Sequence, residues 1–298
     1  MSGKLLLFAA VALAGCTPQA APSALATAPT GKALAAACAG REGWSDPAPP
    51  AKIFGNSYYV GTCGISVVLI DTPAGLVLID AATEEAAPSI LANIRTLGFD
   101  PKNVRFLLTS HEHLDHVGGL RALQEATGAQ VIARPEAAAA LASGEPDATD
   151  PQRGSIPPFR GVAVARTVRD GEMLEIEGLR LTVHATPGHT PGGTSWTWRS
   201  CEGSDCRVIA YVDSLSAVSA DGYRFVDHPA YVAVLRATIG KVASLPCDIA
   251  ITPHPGASDV FARLAGEARM ADPGGCAAYA AAATKRLDDR LAKEAAAK

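Results

Sequence analysis

Residues Val104 to Thr127 read VRFLLTSHEHLDHVGGLRALQEAT. An apolar strand pattern runs into three histidines and two acids within six residues, and a helical pattern follows. His111 and His113 lie two apart, so a chain still extended after the strand aims both imidazoles the same way. Asp115 and His116 fall where the backbone turns into a helix opening at Val117, and can face a second point nearby. Imidazoles and a carboxylate at this spacing form a metal-ligand nest, and one short loop can hold two ions.

Further along the chain the same arrangement recurs. His189 ends the strand pattern LRLTVHAT in the turn TPGHTPGGT, and His254 stands between Pro253 and Pro255 after the strand DIAIT. Proline limits backbone freedom on both sides, so these rings are held before any metal arrives. His184, inside a strand, is expected to be a satisfied or exposed side chain. His228, before Pro229, reads as a helix-entry residue.

From Lys52 short strands form a β-meander: KIFGNSYYVG, ISVVLID and AGLVLIDAA. A helix over Glu84 to Leu97 follows, closed by Gly98. Strand, loop and helix then alternate through AQVIARPEAAAALAS. The second half runs VAVARTV, EMLEIEG, LRLTVHAT, TSWTWRS and RVIAYVD, then a helix near Pro229 to Ser244 and the strand DIAIT. Closing helices are expected over Asp259 to Ala268 and Cys276 to Lys298, the last with charges that read as a solvated face. The halves look like a pseudo-repeat, each a sheet with helices outside and ligands at strand ends. Gly144 to Arg160 carries four prolines and Gln152, too long for a plain connection and therefore a candidate substrate loop.

The chain has 298 residues, 48% of them hydrophobic, enough for a full core. Its net charge of −4 and the lack of any basic block argue against a nucleic-acid partner. Lys4 and the apolar run Leu5 to Leu13 have the form of an export signal, too short for a stable bilayer span. The run ends in Leu13-Ala14-Gly15-Cys16, similar to the lipobox of bacterial lipoproteins. The expected layout is therefore a signal peptide over 1–15, lipid on Cys16, a flexible tether over 16–37 and a catalytic domain over 38–298 in the periplasm. A monomer is expected, touching the membrane only through that lipid. Setting Cys16 aside leaves six of seven cysteines, an even number suited to an oxidising compartment. CEGSDC is a tight turn between two strands, which pairs Cys201 with Cys206. For the other four the residues leave the pairing open, the sequential choice being Cys38 with Cys63 and Cys247 with Cys276.

HEHLDH with a later PGHTPGG and a late PHP resembles the metallo-β-lactamase superfamily, and in particular the third subclass of class B β-lactamases, over most of Cys38 to Cys276. The resemblance implies an α/β fold, the αββα sandwich of two face-to-face mixed sheets with helices outside. It implies two Zn²⁺, the first on His111, His113 and His189, the second on Asp115, His116 and His254. It further implies hydrolysis of the β-lactam amide of penicillins, cephalosporins and carbapenems by a hydroxide shared between the ions, with Asp115 passing a proton and the drug bound by Ser214, Ser216 and Gln152. Ser214 matches the place where the first subclass has a metal-binding cysteine. The sequential pairing of all three disulfides fits a branch of this subclass, and Asp80 matches an aspartate braced behind the metal loop. Two rivals stand beside this. Asp213 could bridge both metals, as in thioester and lactone hydrolases of the superfamily, or the site could capture zinc without turnover.

Overall fold

The computed structural model describes residues 30–297. Its strands divide between two sheets at about Val168. The first has seven strands in chain order: β1 (Ala51–Phe54), β2 (Ser57–Tyr59), β3 (Val68–Thr72), β4 (Gly75–Ile79), β5 (Val104–Leu108), β6 (Gln130–Ala133) and β7 (Arg166–Thr167). The meander read from Lys52 is antiparallel through β4, and β4 to β7 then run parallel. Parallel neighbours need crossovers. These are α2 (Ala87–Thr96), the pair α3 (Leu114–Val117) and α4 (Leu120–Thr127), and α5 (Pro135–Ser143); a helix α1 (Gly31–Cys38) precedes the sheet. The second sheet holds β8 (Met173–Ile176), β9 (Leu179–Ala185), β10 (Thr194–Glu202), β11 (Asp205–Tyr211) and β12 (Ile249–Ile251), in the order β12-β11-β10-β9-β8. Outside it lie α6 (Pro229–Ala243) and α8 (Gly275–Ala296), with a short α7 (Val260–Leu264) near α1.

Side-chain alternation explains the layers. In β4, Val77 and Ile79 face the second sheet while Leu76 and Leu78 face the helices, so the strand is apolar throughout because both faces are covered. Val77, Ile79 and Leu108 meet Val183, Trp196, Trp198 and Ile209 between the sheets. Ile90, Ile94, Leu120 and Leu123 cover the outer face of the first sheet. Leu235, Ile239, Ala283 and Leu287 cover that of the second. This is the four-layer αββα sandwich that the resemblance implies, and the pseudo-repeat agrees with it.

Cys38–Cys63, Cys201–Cys206 and Cys247–Cys276 are all bonded, as the sequential pairing has it. Cys201 and Cys206 face each other across the β10–β11 hairpin. The signal, Cys16 and most of the tether lie outside the described residues. The tether's last part departs from expectation: Gly31–Cys38 is a helix, capped by the Thr30 side chain on Ala33 N and anchored by buried Leu34 and Cys38. The helix placed at Val117 starts earlier, at Leu114, and breaks at Gly118 and Gly119. A Cβ on Gly119 would stand 2.3 Å from the Ala81 carbonyl, so glycine lets the metal-motif turn press against the end of β4. VAVARTV pairs only at Arg166–Thr167, and the helix over Asp259 to Ala268 shrinks to α7 between two left-handed residues, Asp259 and Gly266.

The face of α8 is not merely solvated. Glu294 is buried, bonded by Arg290, and accepts from Val226 N at 3.0 Å. Arg290 also donates to Ser219 Oγ and lies over the Phe225 ring. The last turn of α8 thereby pins the segment that leads away from Ser214 and Ser216. Asp289 makes its exposed ion pair with Lys285 and not with Lys293. Among the described residues no helix is long and apolar enough to cross a membrane.

Candidate metal centre

Three strand ends bring the ligand candidates together, those of β5, β9 and β12, and the end of β11 adds Asp213 and Ser214 beside them. His111 and His113 continue β5, and the turn of α3 carries Asp115 and His116. His189 follows β9 and His254 follows β12. Ring centroids are 4.7 Å apart for His111 and His189, 4.9 Å for His113 and His189, and 5.0 Å for His116 and His254. Asp115 Oδ2 lies 3.1 Å from His116 Nε2 and 3.4 Å from His254 Nε2. Two clusters have donor atoms within 4.8 Å of one another: His111, His113 and His189, and His111, Asp115 and His116.

Four of the five imidazoles have one nitrogen hydrogen-bonded to the protein and the other turned inward, and His116 has a carboxylate close behind it. His111 Nδ1 is 2.8 Å from Asp213 Oδ1, and His113 Nε2 is 2.7 Å from Asp150 Oδ2. His116 Nδ1 lies 3.3 Å from Asp80 Oδ2. His189 Nδ1 donates to the Ser216 carbonyl at 3.0 Å, and His254 Nδ1 to the Gly64 carbonyl at 3.3 Å. Holding the outer nitrogen in this way fixes ring and tautomer and frees the inner lone pair. His111 Nε2 is buried without a hydrogen-bond partner, a costly state unless a cation takes the lone pair. The residues fit a metal.

The electrostatics agree. Burial and the neighbouring His116 hold His111 well below its ordinary value, and burial with His113 beside it brings His189 down to about 3, so both are neutral donors. Burial opposes charge on His116 as well, but Asp115 and Asp80 outweigh it and lift the ring to about 10. The same partnership keeps Asp115 well below the carboxylate range despite its burial. His116 in the metal-free fold therefore holds a proton that a cation must displace. Its charged form stabilises the metal-free fold below pH 6.5, and that contribution is lost as pH rises through 10. Metal affinity is expected to rise with pH, about tenfold per unit over this window for one displaced proton. Calorimetric zinc titration in buffers of different ionisation enthalpy checks this, and uptake without proton release at pH 7 to 8 would refute it.

Asp80, with φ +65°, accepts from Ser110 N at 2.6 Å, Ser110 Oγ at 2.7 Å and Tyr211 Oη at 2.7 Å, and so braces the loop from behind. Asp213, the bridging rival, stands beyond the His111 ring, on the side away from Nε2. Ser214 is buried beside it. The Ser216 hydroxyl lies 3.1 Å from His189 Nδ1, which gives it an orienting contact. Gln152 Nε2 is 3.4 Å from His189 Nε2. His184 meets Thr197 Oγ1 at 2.9 Å, and His228 is the residue before α6, stacked on Tyr223.

Three residues were missed from the sequence. Glu112 is fully buried between the first two histidines and faces the other way. It accepts from Gly192 N and Thr190 Oγ1, both at 2.8 Å, and fixes the His189 turn from β5. Burial raises its carboxyl above the ordinary value, partly offset by those two bonds. Period-two alternation predicts this orientation. Arg134 donates to the Gly193 carbonyl at 2.9 Å, and Asp150 reaches His113 from the proline-rich loop. Nothing local in the sequence marks either.

The family described as Metallo-beta-lactamase superfamily matches residues 60–201. The solved metallo-β-lactamase MIM-1 from Novosphingobium pentaromativorans is 52% identical, at a TM-score of 0.87 over 89% of this chain and 98% of that one. MEM-A1, a subclass B3 metallo-β-lactamase from a soil metagenome library, is 44% identical, at a TM-score of 0.83 over 86% of this chain and all of that one. Hydroxyacylglutathione hydrolase of Mesorhizobium japonicum is 31% identical over 180 residues, 60% of this chain and 57% of that protein. The chain spans about half the length of such curated relatives. Sheet order, the placing of the histidines at strand ends and the end-to-end likeness to solved structures agree: the chain belongs to the metallo-β-lactamase superfamily, with subclass B3 enzymes as its structural neighbours.

Proposed function

We propose that the protein is a zinc-dependent β-lactamase that opens the amide of penicillins, cephalosporins and carbapenems. The observation that carries this reading is the set of five imidazoles gathered at one place, four with the outer nitrogen hydrogen-bonded and the fifth, His116, backed by Asp80. His111, His113 and His189 would hold one Zn²⁺, and Asp115, His116 and His254 a second. Bound zinc supplies a Lewis acid and a water acidified to near neutrality. The chain's own residues do the rest. Asp115, ionised and within reach of both His116 and His254, is placed to move a proton toward the departing nitrogen. Gln152, which lies against His189, and Ser214 would orient the substrate, with Ser216 joining them from behind His189. His254 is the most open of the five rings and marks the entrance, beside a cleft of about 460 Å³ that Trp44 also lines. Export to the periplasm, a lipid on Cys16 and a monomeric state belong to the same reading; the three disulfides suit an oxidising compartment.

A thioester hydrolase is the second reading, favoured by the curated relatives. Against it, Oδ1 of Asp213 is held by the outer nitrogen of His111, on the side of that ring away from Nε2. Purified protein with zinc is expected to consume a carbapenem, followed by loss of lactam absorbance, and to leave a glutathione thioester intact. Thioester cleavage without turnover of any β-lactam would overturn the proposal.

A further inference from the structure

We propose that Asp150 is a positioning residue that couples the first metal site to the loop carrying Gln152, so that metal binding orders the loop. The inference rests on the metal reading of His113 and not on the identity of the substrate. Asp150 is buried and its two oxygens are divided: Oδ2 lies 2.7 Å from His113 Nε2, and Oδ1 accepts from Gln152 N at 2.7 Å. One carboxylate thus fixes a ligand ring and the backbone of a residue at the pocket.

Around it the loop is a knot of short turns. Asp150 N donates to the Asp147 carbonyl at 3.1 Å and Arg153 N to the Asp150 carbonyl at 3.0 Å. Asp147 Oδ1 caps Thr149 N at 2.8 Å, and Arg153 reaches the Pro146 carbonyl at 2.7 Å. These bonds are internal to the loop. Outside the loop, Gln152 reaches His189 and Ala220 N donates to the Pro151 carbonyl at 2.8 Å, and among the described residues it is the Asp150–His113 hydrogen bond that ties the knot to the HEHLDH segment.

A carboxylate without its proton only accepts, so it sets the hydrogen of His113 on Nε2 and presents the Nδ1 lone pair to a cation. A cation on Nδ1 draws electron density from the ring and makes Nε2–H a stronger donor. The bond to Asp150 then tightens, and with it the turn that places Gln152. Linkage makes the effect reciprocal: whatever immobilises the loop raises metal affinity by the same factor.

Two measurements test this. Amide exchange across residues 146–156 of the full chain is expected to slow when zinc is added, while exchange in α2 stays unchanged. In Asp150→Asn, which retains a single acceptor for two donors, and in Asp150→Ala, that zinc-dependent protection is expected to vanish. Zinc affinity of the tighter site, read by competition with a chromophoric chelator, is expected to fall about 10- to 100-fold. Should the alanine variant fail to fold, the asparagine variant and the wild-type exchange comparison decide the matter. Zinc uptake with unaltered loop exchange, or variants with wild-type affinity, overturns the proposal alone. No zinc uptake by the wild type removes the metal reading and this proposal with it.

Discussion

His113→Ala is expected to lower kcat/KM for a carbapenem more than about a hundredfold while the protein stays folded. Loss of an outer partner of a metal ligand already costs about 10- to 100-fold, and this substitution removes the ligand itself together with the ring that Asp150 holds. The Asp150 carboxylate is left with one backbone donor. The folding cost of that orphaned acceptor is about 1–3 kcal/mol, below the stability of an ordinary domain of about 5–15 kcal/mol. Near-ultraviolet circular dichroism, zinc content and steady-state kinetics separate the two effects. Wild-type turnover with one metal missing would dismantle the assignment of His113.

Asp80→Ala is expected to act through stability first, lowering the free energy of unfolding by about 3–5 kcal/mol, the range for breaking a buried charged network from one side. Two buried donors, Ser110 N and Ser110 Oγ, lose this acceptor at once, and Tyr211 Oη is left with the Ser66 carbonyl alone. Alanine also tolerates the left-handed backbone at this position less well than aspartate, whose short polar side chain suits it. Ser110 precedes His111, so the metal loop is loosened at its root, and His116 loses the contact behind Nδ1. Asp80→Asn offers one acceptor and should fall between. Urea unfolding at fixed zinc concentration gives the number, and a change below about 1 kcal/mol, one ordinary hydrogen bond, would show that Asp80 is not the brace it looks to be.

Much of this was legible in the sequence because the signals are local and periodic. The apolar GLVLI run marks a strand covered on both faces, VRFLL a strand buried toward its end, and histidines spaced within HEHLDH share an edge by the geometry of an extended chain. The proline-flanked His254 and the turn around His189 declare themselves in the same way. What escaped reading is held by long-range partners. Asp150 lies in a loop whose sequence shows only prolines, and its significance comes from a histidine 37 residues earlier. Glu294 looks like one half of a surface ion pair until the chain brings Val226 to it. The Gly118–Gly119 break could be seen in the letters, but its reason, the carbonyl of Ala81 behind it, belongs to tertiary structure.

The backing of every imidazole from behind has one more consequence. In a zinc finger the ion is the scaffold, and taking it away collapses the chain. Here, apart from Asp150 on its loop, the rings rest on the Asp213 carboxylate and on the carbonyls of Ser216 and Gly64, which the sandwich itself sets in place. Emptying and unfolding are therefore separate events: a chelator silences the enzyme without destroying it, and fresh cation restores it with no need to build the cradle again.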